Sequence, residues 1–358
     1  MKKTLLLLPL LIANVIACKS QHKQLKFVDE FVLEDSLSCK ETIIGGLSGI
    51  DFYDGDYYMV VDDSDVPRIL VSQIHFKKDT INNITFKDVI VLKDSMPFFR
   101  DNYFDLESVF VKENQIYLTS EGDIKKKKEP TVFSISKESE FIAAYEIPSC
   151  FKVNSKAKPR HNLIFEASSK SANGEGLWVG MEGALTIDGD VPGLEDNFCP
   201  TRITLFDDKT KKAIRQFAYP LDKINRPKKG KFNVNGITAI LEYETDHFFV
   251  VERAFQSGYG VYGNSVRIYK VIIDDTTKNT LGVESLKDKE SYAVTKELVF
   301  DFDTVRDKLT DNRIDNIEGI TFGPTLSNGN QSLILVADDN FQKHGKQLNQ
   351  FVVLEIVK

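Results

Sequence analysis

A repeated two-strand pattern constrains the fold of this 358-residue chain more than any other feature. In each copy a small, polar or acidic pair precedes one apolar segment, and the next apolar segment ends on a carboxylate. The starting pairs are Ser48-Gly49, Glu107-Ser108, Glu166-Ala167, Asn235-Gly236 and Glu318-Gly319. The closing acids are Asp62, Glu121, Glu182, Glu252 and Asp338. Self-similarity of this kind indicates a repeat architecture, in which one supersecondary unit recurs along the chain.

Two further strand-like segments follow each of the first four closing acids, which gives four strands in each unit. The fifth unit is one strand short, because only the segment 350–357 follows its acid. An unassigned strand at 26–35 can supply the missing one, and pairing the chain ends in this way closes a ring and protects its edges. The sequence therefore predicts an all-β fold, a β-propeller of five four-stranded blades in a single domain over residues 26–358. The long interval between the fourth and fifth copies leaves room for a sixth blade.

The repeat also predicts a site, because the start of the first strand and the end of the second meet at one rim of a propeller's central tunnel. The repeated acids should converge there, and carboxylates so close raise one another's pKa unless a cation or a basic side chain neutralises them. We predict that the first-strand residues Glu107, Glu166 and Glu318 are catalytic. The predicted metal ligands are Asp62, Glu121, Glu182, Glu252, Asp338 and Asp339.

A divalent cation is the simplest agent that would neutralise this ring. Calcium takes about 6–8 oxygen ligands and magnesium about six, so calcium is favoured and magnesium or manganese are the alternatives. The five histidines are scattered without ligand spacing, which argues against zinc or iron. The residues predicted to bind the substrate, at or near the same strand ends, are Arg68, Arg202, Arg253 and Asn340.

The motifs within the repeat resemble the phytase-like family, also described as the esterase-like activity of phytase family. The resemblance covers residues 45–341 and rests on five motif pairs in order: GLSGIDF with VVDDSDVPR, DLESVFV with YLTSEGD, FEASS with LWVGMEGAL, VVERAF with VRIYKV, and DNIEGITF with LVADDNF. It implies a propeller whose acidic residues carry a phosphoesterase-like activity. The fourth copy departs from the pattern at Asn235-Gly236, where an acid would be expected.

The amino terminus has the three parts of a bacterial lipoprotein signal. A basic head at residues 1–3 precedes an apolar core at 5–12, and a lipobox-like segment ends on Cys18. The apolar stretch is shorter than the roughly 20 residues that a membrane-spanning helix needs. We therefore expect a signal peptide at 1–17, lipidation of Cys18 and a polar tether up to residue 25. The expected location is the bacterial cell envelope, with the protein held at the membrane by its lipid.

Charge and motifs narrow the function further. A net charge of −7 leaves no basic footprint for nucleic acid, so the expected partner is a small anionic or ester substrate. The segment GLSG at 46–49 lacks the spacing of a nucleophilic serine elbow. The leading hypothesis is a metal-assisted hydrolase of a phosphoester or related ester. The alternatives are a sugar-lactone hydrolase and a non-catalytic propeller that binds a glycan, a peptide or an envelope protein.

Overall fold

The computed structural model describes residues 24–93 and 96–357. The predicted signal peptide, Cys18 and the tether up to residue 23 lie outside the described residues, so lipidation stays a prediction. Within the described ranges, no helix has both the length and the apolarity needed to cross a membrane.

The described chain consists mainly of strands. In chain order these are β1 (Gln24–Val32), β2 (Ser38–Cys39), β3 (Thr42–Ile43), β4 (Leu47–Tyr53), β5 (Asp56–Val61), β6 (Arg68–Lys77), β7 (Thr80–Val91), β8 (Leu106–Lys112), β9 (Gln115–Ser120), β10 (Thr131–Ser136), β11 (Phe141–Ala144), β12 (Phe165–Lys170), β13 (Gly176–Met181), β14 (Pro200–Asp207), β15 (Ala213–Pro220), β16 (Asn233–Glu244), β17 (His247–Gln256), β18 (Asn264–Ile272), β19 (Lys296–Asp301), β20 (Asn316–Thr325), β21 (Gln331–Asp338) and β22 (Gln350–Val357). One short α-helix, α1, spans Pro97–Asp101. The 3₁₀ turns are Ser149–Phe151, Gly260–Tyr262, Glu290–Tyr292, Phe302–Thr304, Arg306–Lys308, Thr310–Asn312 and Asn340–Gln342.

Five antiparallel four-stranded sheets form the blades of a β-propeller. Blade 1 contains β4 to β7, blade 2 β8 to β11, blade 3 β12 to β15 and blade 4 β16 to β19. Blade 5 has the order β1-β22-β21-β20, and β2 and β3 form a separate hairpin. The prediction of five four-stranded blades is confirmed, and the described chain between blades 4 and 5 contains no sixth.

The ring closes through the two ends of the chain. Strand β1 pairs with β22 in antiparallel register, so that Gln24 lies opposite Val357 and Val32 lies opposite Gln350. Blade 5 therefore takes its outermost strand from the amino-terminal end and its other three from the carboxyl-terminal end. The predicted closure is confirmed, with the amino-terminal strand at 24–32 rather than 26–35.

The first strand of each blade lines the central tunnel, and apolar side chains fill the spaces between blades. Strands β4, β8, β12, β16 and β20 contact one another in that order, and β20 returns to β4. Five buried apolar clusters occupy the five interfaces between neighbouring blades. Trp178 belongs to one of them, where its ring meets that of Phe248 edge-on at 5.1 Å between centroids. Alternation along each strand lets a blade bury side chains against both of its neighbours.

Candidate functional site

A β-bulge near the start of each inner strand positions the first set of rim side chains. In every blade, one residue of the inner strand has no residue opposite it on the second strand. Bulges of this kind re-aim side chains and are common next to active sites. In blade order the bulged residues are Ser48, Glu107, Glu166, Thr238 and Glu318.

The second strand of each blade adds one side chain to the same rim. The inner-strand residue just before the bulge pairs with a residue of the second strand, and the rim side chain belongs to the next residue along that second strand. In blade 1, for example, Leu47 pairs with Val61, and Asp62 follows. All five such residues line a single cavity. In blade order they are Asp62, Glu121, Glu182, Arg253 and Asp338.

The fourth blade follows the repeat in a different register from the predicted one. Sequence matching placed Asn235-Gly236 and Glu252 at the rim, whereas the structure has Thr238 and Arg253 in the equivalent positions. Successive side chains of a strand point to opposite faces, so the residue before Arg253 must point away from the cavity when Arg253 points into it. Blade 4 therefore contributes a cation to the rim where the sequence predicted an anion.

Glu252 belongs instead to a separate buried polar network between blades 3 and 4. Its carboxylate accepts hydrogen bonds from the Tyr219 hydroxyl at 2.7 Å, the Asn235 amide at 2.7 Å and the Asp222 backbone N–H at 3.1 Å. It also forms an ion pair with Lys296. These four partners occupy the carboxylate outside the rim cavity, so the predicted role of Glu252 as a metal ligand finds no support in its position.

Eight of the ten rim residues, all except Ser48 and Thr238, surround one cavity of about 560 Å³ at the mouth of the tunnel. This volume lies within the range of about 300–1,000 Å³ that is usual for small-molecule sites. Eight carboxylates line it, of which one, Asp315, immediately precedes β20. The other seven come from the rims of four blades, and we refer to them as the acidic ring. Its members are Asp62, Glu107, Glu121, Glu166, Glu182, Glu318 and Asp338. The three predicted catalytic glutamates and four of the six predicted metal ligands are thus brought together.

Two overlapping triads of carboxylates on the side of blades 1 to 3 could hold a cation. One contains Asp62, Asp105 and Glu107, and the other contains Glu107, Glu121 and Glu166. In each triad, one oxygen from every residue lies within 4.8 Å of the others. Sequence reasoning missed Asp105, which lies two residues before the bulged Glu107 and reaches the same place. Carboxylate oxygens are the ligands that hard divalent cations prefer.

Arg253 neutralises the side of the acidic ring that is formed by blades 3 and 5. Its Nη2 lies 3.2 Å from Glu318 Oε1 and 3.7 Å from Glu182 Oε1. The Asn316 side-chain amide donates to the same Glu318 oxygen at 2.8 Å. Arg253 Nε is buried and has no hydrogen-bond partner among the described residues. The guanidinium therefore retains a donor that none of its described neighbours satisfies.

Burial raises the pKa of six carboxyls in the acidic ring, and repulsion between neighbours adds to the effect at five of them. The pKa of Glu182 rises to about 7 because of burial, with Arg253 limiting the rise. Burial and then Asp62 raise the pKa of Asp338 to about 8. Burial first, and neighbouring carboxylates second, raise the pKa well above its ordinary value at four further positions: Glu107, Glu121, Glu166 and Glu318. In the absence of a cation, the ring therefore retains protons at neutral pH.

We expect the chelated protein to lose stability as the pH rises from about 5 to about 8. The unfolded chain releases its carboxyl protons near pH 4, whereas the folded protein keeps those of Glu182 and Asp338 up to pH values of about 7 and 8. The folded state binds more protons in this window, so its free energy of unfolding falls as the pH rises. Each unit of pKa shift corresponds to about 1.4 kcal/mol. Urea denaturation in EDTA across this range measures the loss.

The same titration with saturating Ca²⁺ is the control. A cation and protons compete for the same oxygens, so cation binding strengthens as the pH rises and should flatten or reverse the slope. A free energy of unfolding that stays constant in EDTA between pH 5 and 8 would contradict the raised pKa values.

Arg68 and Asp339 support the loops beside the cavity. Arg68 Nη1 donates to Asp63 Oδ2 at 2.7 Å. Asp339 accepts hydrogen bonds from the Gly46 backbone N–H at 2.8 Å and from the Asn349 amide at 3.1 Å. These contacts occupy both charged groups outside the cavity lining. These positions give no support to the predicted contact of Arg68 with the substrate. They also give none to the predicted contact of Asp339 with a metal.

Asn340 and Arg202, both predicted to bind the substrate, lie in different environments. Asn340 lines the cavity, and its backbone N–H donates to Asp338 Oδ1 at 2.7 Å. Arg202 is buried in blade 3, where Nε and Nη2 donate to Asp188 at 2.7 and 2.8 Å. Its Nη1 also donates to the Val283 carbonyl at 3.0 Å. Arg202 therefore fastens the long connection between β18 and β19 to blade 3, away from the cavity.

The fold and the site together define a class of protein: a five-bladed β-propeller with a buried acidic cavity at one mouth of its tunnel. Residues 42–341 match the sequence profile of the phytase-like family, described as esterase-like activity of phytase. The chain belongs to this family, as the resemblance of its motifs predicted. No curated protein matches the chain.

Several solved structures share similarity with the whole propeller at low sequence identity. The RS223 β-xylosidase is 11% identical, with a TM-score of 0.47, and the match covers 88% of this chain and 93% of that one. An exo-1,5-α-L-arabinanase from a bovine ruminal metagenomic library is 10% identical, with a TM-score of 0.44 and coverage of 86% and 92%. CoXyl43, a GH43 β-xylosidase/α-arabinofuranosidase from a compost microbial metagenome, is 13% identical, with a TM-score of 0.45 and coverage of 87% and 91%. These similarities are too distant to bear on the chemistry of this chain.

Proposed function

We propose that this protein is a divalent-cation-dependent hydrolase of a phosphoester or a related ester. The observation that carries the proposal is the pair of overlapping carboxylate triads in a cavity of small-molecule size. The description of the family, esterase-like activity of phytase, supports the same class of reaction. We propose calcium as the cation, with magnesium or manganese as alternatives, because the donor set consists of oxygens.

The residues present fit such a cation. Either Asp62, Asp105 and Glu107 or Glu107, Glu121 and Glu166 would hold it. Calcium takes about 6–8 oxygens, more than one triad of single donors provides, so water and substrate oxygens could complete its shell. Histidine contributes one residue to the cavity lining, at position 344, whereas zinc sites usually combine several imidazole or thiolate ligands.

A bound cation would supply polarisation of the ester or phosphoryl oxygen and would acidify a nearby water. We assign to Glu318 the role of accepting the proton of the attacking water. Arg253 and Asn316 both contact its Oε1, so the proton would go to Oε2. Burial, and then Asp338, raise the pKa of Glu318, which brings this carboxyl towards the pH range in which a general base is most effective. Arg253 would hold an anionic oxygen of the substrate through its remaining N–H donors.

Chelation followed by cation add-back tests the proposal. Removal of divalent cations is expected to lower the melting temperature, and Ca²⁺ is expected to restore it. A ligand at about 100 times its dissociation constant stabilises the folded state by about 2.7 kcal/mol, which is readily measured. The same samples are then assayed on phosphomonoester, phosphodiester, carboxylester and lactone substrates with Ca²⁺, Mg²⁺ or Mn²⁺.

The outcomes separate the candidate functions. Ester or phosphoester turnover that requires the stabilising cation supports the proposal. Turnover of lactones alone would favour a sugar-lactone hydrolase, and a cation response without turnover would favour a non-catalytic binding propeller. The metal-dependent hydrolase is ruled out if neither the melting temperature nor turnover responds to any of the three cations.

We also propose that this activity is located in the bacterial cell envelope. The three-part signal at residues 1–17 and the lipobox-like Cys18 support a lipid anchor at the membrane. The proposed partner is a small anionic or ester substrate, since a net charge of −7 offers nothing to attract nucleic acid.

A further inference from the structure

Blade 4 extends beyond the acidic ring on one side of the cavity. Strand β17 continues to Gln256, three residues past the rim residue Arg253, and stays paired with β16 over this stretch. In blade 3, by contrast, β13 ends at Met181, immediately before its rim residue. The Phe232 backbone N–H donates to Ser257 Oγ at 2.9 Å, and the Ser257 backbone N–H donates to the Phe232 carbonyl at 2.9 Å. These bonds hold together the two loops that continue the extension.

The side of this extension that lines the cavity is apolar except at Asn264. We refer to Phe232, Val234, Phe255 and Val261 as the apolar wall. Phe232 is 60% exposed and Val261 is 41% exposed, and the rings of Phe232 and Phe255 lie 6.0 Å apart. A single exposed apolar residue is ordinary, but several that line a cavity beside convergent polar groups are typical of a ligand site.

Apart from Leu163 and the glycines, the other parts of the cavity lining are polar. Blade 5 contributes Asn340, His344, Lys346 and Gln347, and Arg253 lies at the level of the acidic ring. The cavity thus combines an acidic floor, a polar wall and an apolar wall. A fully hydrophilic ligand would contact the acidic floor and the polar wall favourably but would leave the apolar wall in contact with water.

We infer that the substrate is amphiphilic, with an anionic ester group at the acidic ring and an apolar group of about the size of a phenyl ring on the apolar wall. The position of the ester group rests on the proposed function. The apolar group would cover the exposed surface of Phe232 and Val261, and removal of apolar surface from water is favourable in proportion to its area. Arg253 and Phe255 lie two residues apart on β17 and line the same cavity, so Arg253 can contact the anionic end while the apolar end is bound to the wall.

Binding of a matched ligand pair tests the apolar wall without turnover. Phenylphosphonate and methylphosphonate carry the same anionic group, differ in their apolar group and contain no ester bond. With the full chain and saturating Ca²⁺, calorimetry is expected to give phenylphosphonate about tenfold tighter binding, equivalent to about 1.4 kcal/mol. The Phe232→Ala variant should lose most of this preference and bind methylphosphonate as the wild type does.

Tyr262→Ala is the matched control variant. Tyr262 is 45% exposed and follows Val261 directly, but it is not part of the cavity lining. This variant should keep the phenyl preference. Equal affinities of the wild type for the two phosphonates, undetectable binding of phenylphosphonate, or equal losses in Tyr262→Ala and Phe232→Ala would each overturn the inference.

The test also distinguishes this inference from the proposed function. A phenyl preference that depends on Phe232, in a protein without any esterase or phosphoesterase turnover, would keep the apolar wall as a ligand site and overturn the hydrolase alone. Turnover without a phenyl preference would support the hydrolase and overturn the apolar wall as a ligand site.

Discussion

The Glu107→Gln variant is expected to lose turnover and the cation-dependent rise in melting temperature, while its chelated form becomes more stable than that of the wild type. Glu107 is the one carboxylate that the two triads share, so its replacement weakens both. Burial, followed by the charges of Glu166 and Asp62, raises the pKa of Glu107. Without a cation, the negative charge of Glu107 is therefore unfavourable in the folded state. Replacing it with a neutral glutamine should raise the stability of the chelated protein. Glutamine keeps the shape of the side chain.

The prediction is specific because turnover and the cation response should fall while the stability of the chelated protein rises. We expect kcat to fall by about a hundredfold or more, the usual size of a lost acid–base or ligand contribution. The free energy of unfolding in EDTA at pH 8 should rise, because the variant no longer carries a carboxyl whose pKa is raised well above its ordinary value in the folded state. Urea denaturation, thermal melts and assays on one preparation measure all three quantities. A residue with a purely structural role would lower stability instead.

Glu242→Gln is the matched control for a buried glutamate outside the acidic ring. The Glu242 carboxylate accepts hydrogen bonds from the Ala172 and Asp246 backbone N–H groups at 2.7 Å and from Trp178 Nε1 at 3.1 Å. Its replacement should lower stability, because charge-assisted acceptors are lost, and should leave the cation response and turnover unchanged. A Glu107→Gln variant with the cation response of the wild type would show that the cation does not bind at these triads.

All five blades could be predicted from sequence, and so could the rim residues of four of them, because those residues keep nearly the same place in the motif. The bulged residue is the second residue of β4, β8 and β12 and the third of β20. In β16 the bulged Thr238 is the sixth residue, since this strand starts early at Asn233. Because of these extra residues, Asn235 occupies the place near the start of the strand where the motif has its polar or acidic residue. Glu252 was therefore matched to the closing acid, one residue before the true rim residue Arg253. The extension that misled the sequence prediction is the one that forms the apolar wall.

The choice between adjacent acids could not be made from sequence. Asp62-Asp63 and Asp338-Asp339 are both pairs, but in each pair the first residue lines the cavity. Neighbouring side chains diverge where a strand ends, and the register that decides which one faces the tunnel is set by the bulge on the partner strand. That register is a tertiary property. The same holds for Arg253, whose role in neutralising the ring depends on Glu182 and Glu318 from the neighbouring blades.

The Arg253→Met variant is expected to destabilise the chelated protein by about 3–5 kcal/mol at pH 8, the usual cost of removing one partner from a buried ion pair. Methionine keeps much of the length of the side chain but leaves Glu182 and Glu318 without their basic partner. At pH 5 the loss should be much smaller, because the carboxyls with raised pKa values are then protonated and need no counter-charge. Urea denaturation in EDTA at the two pH values measures the difference.

Arg267→Met is the matched control in the same blade. Arg267 Nε lies 2.9 Å from Asp301 Oδ2, and the two side chains are 24% and 18% exposed. Its loss should cost about 1 kcal/mol or less, equally at both pH values and without a response to Ca²⁺. An Arg253→Met variant with the same loss at pH 5 and pH 8 would contradict the electrostatic account. Rescue of this variant by Ca²⁺ at pH 8 would instead show that the guanidinium and the cation neutralise one shared set of carboxylates, so that the cation can replace the guanidinium in offsetting the repulsion within the acidic ring.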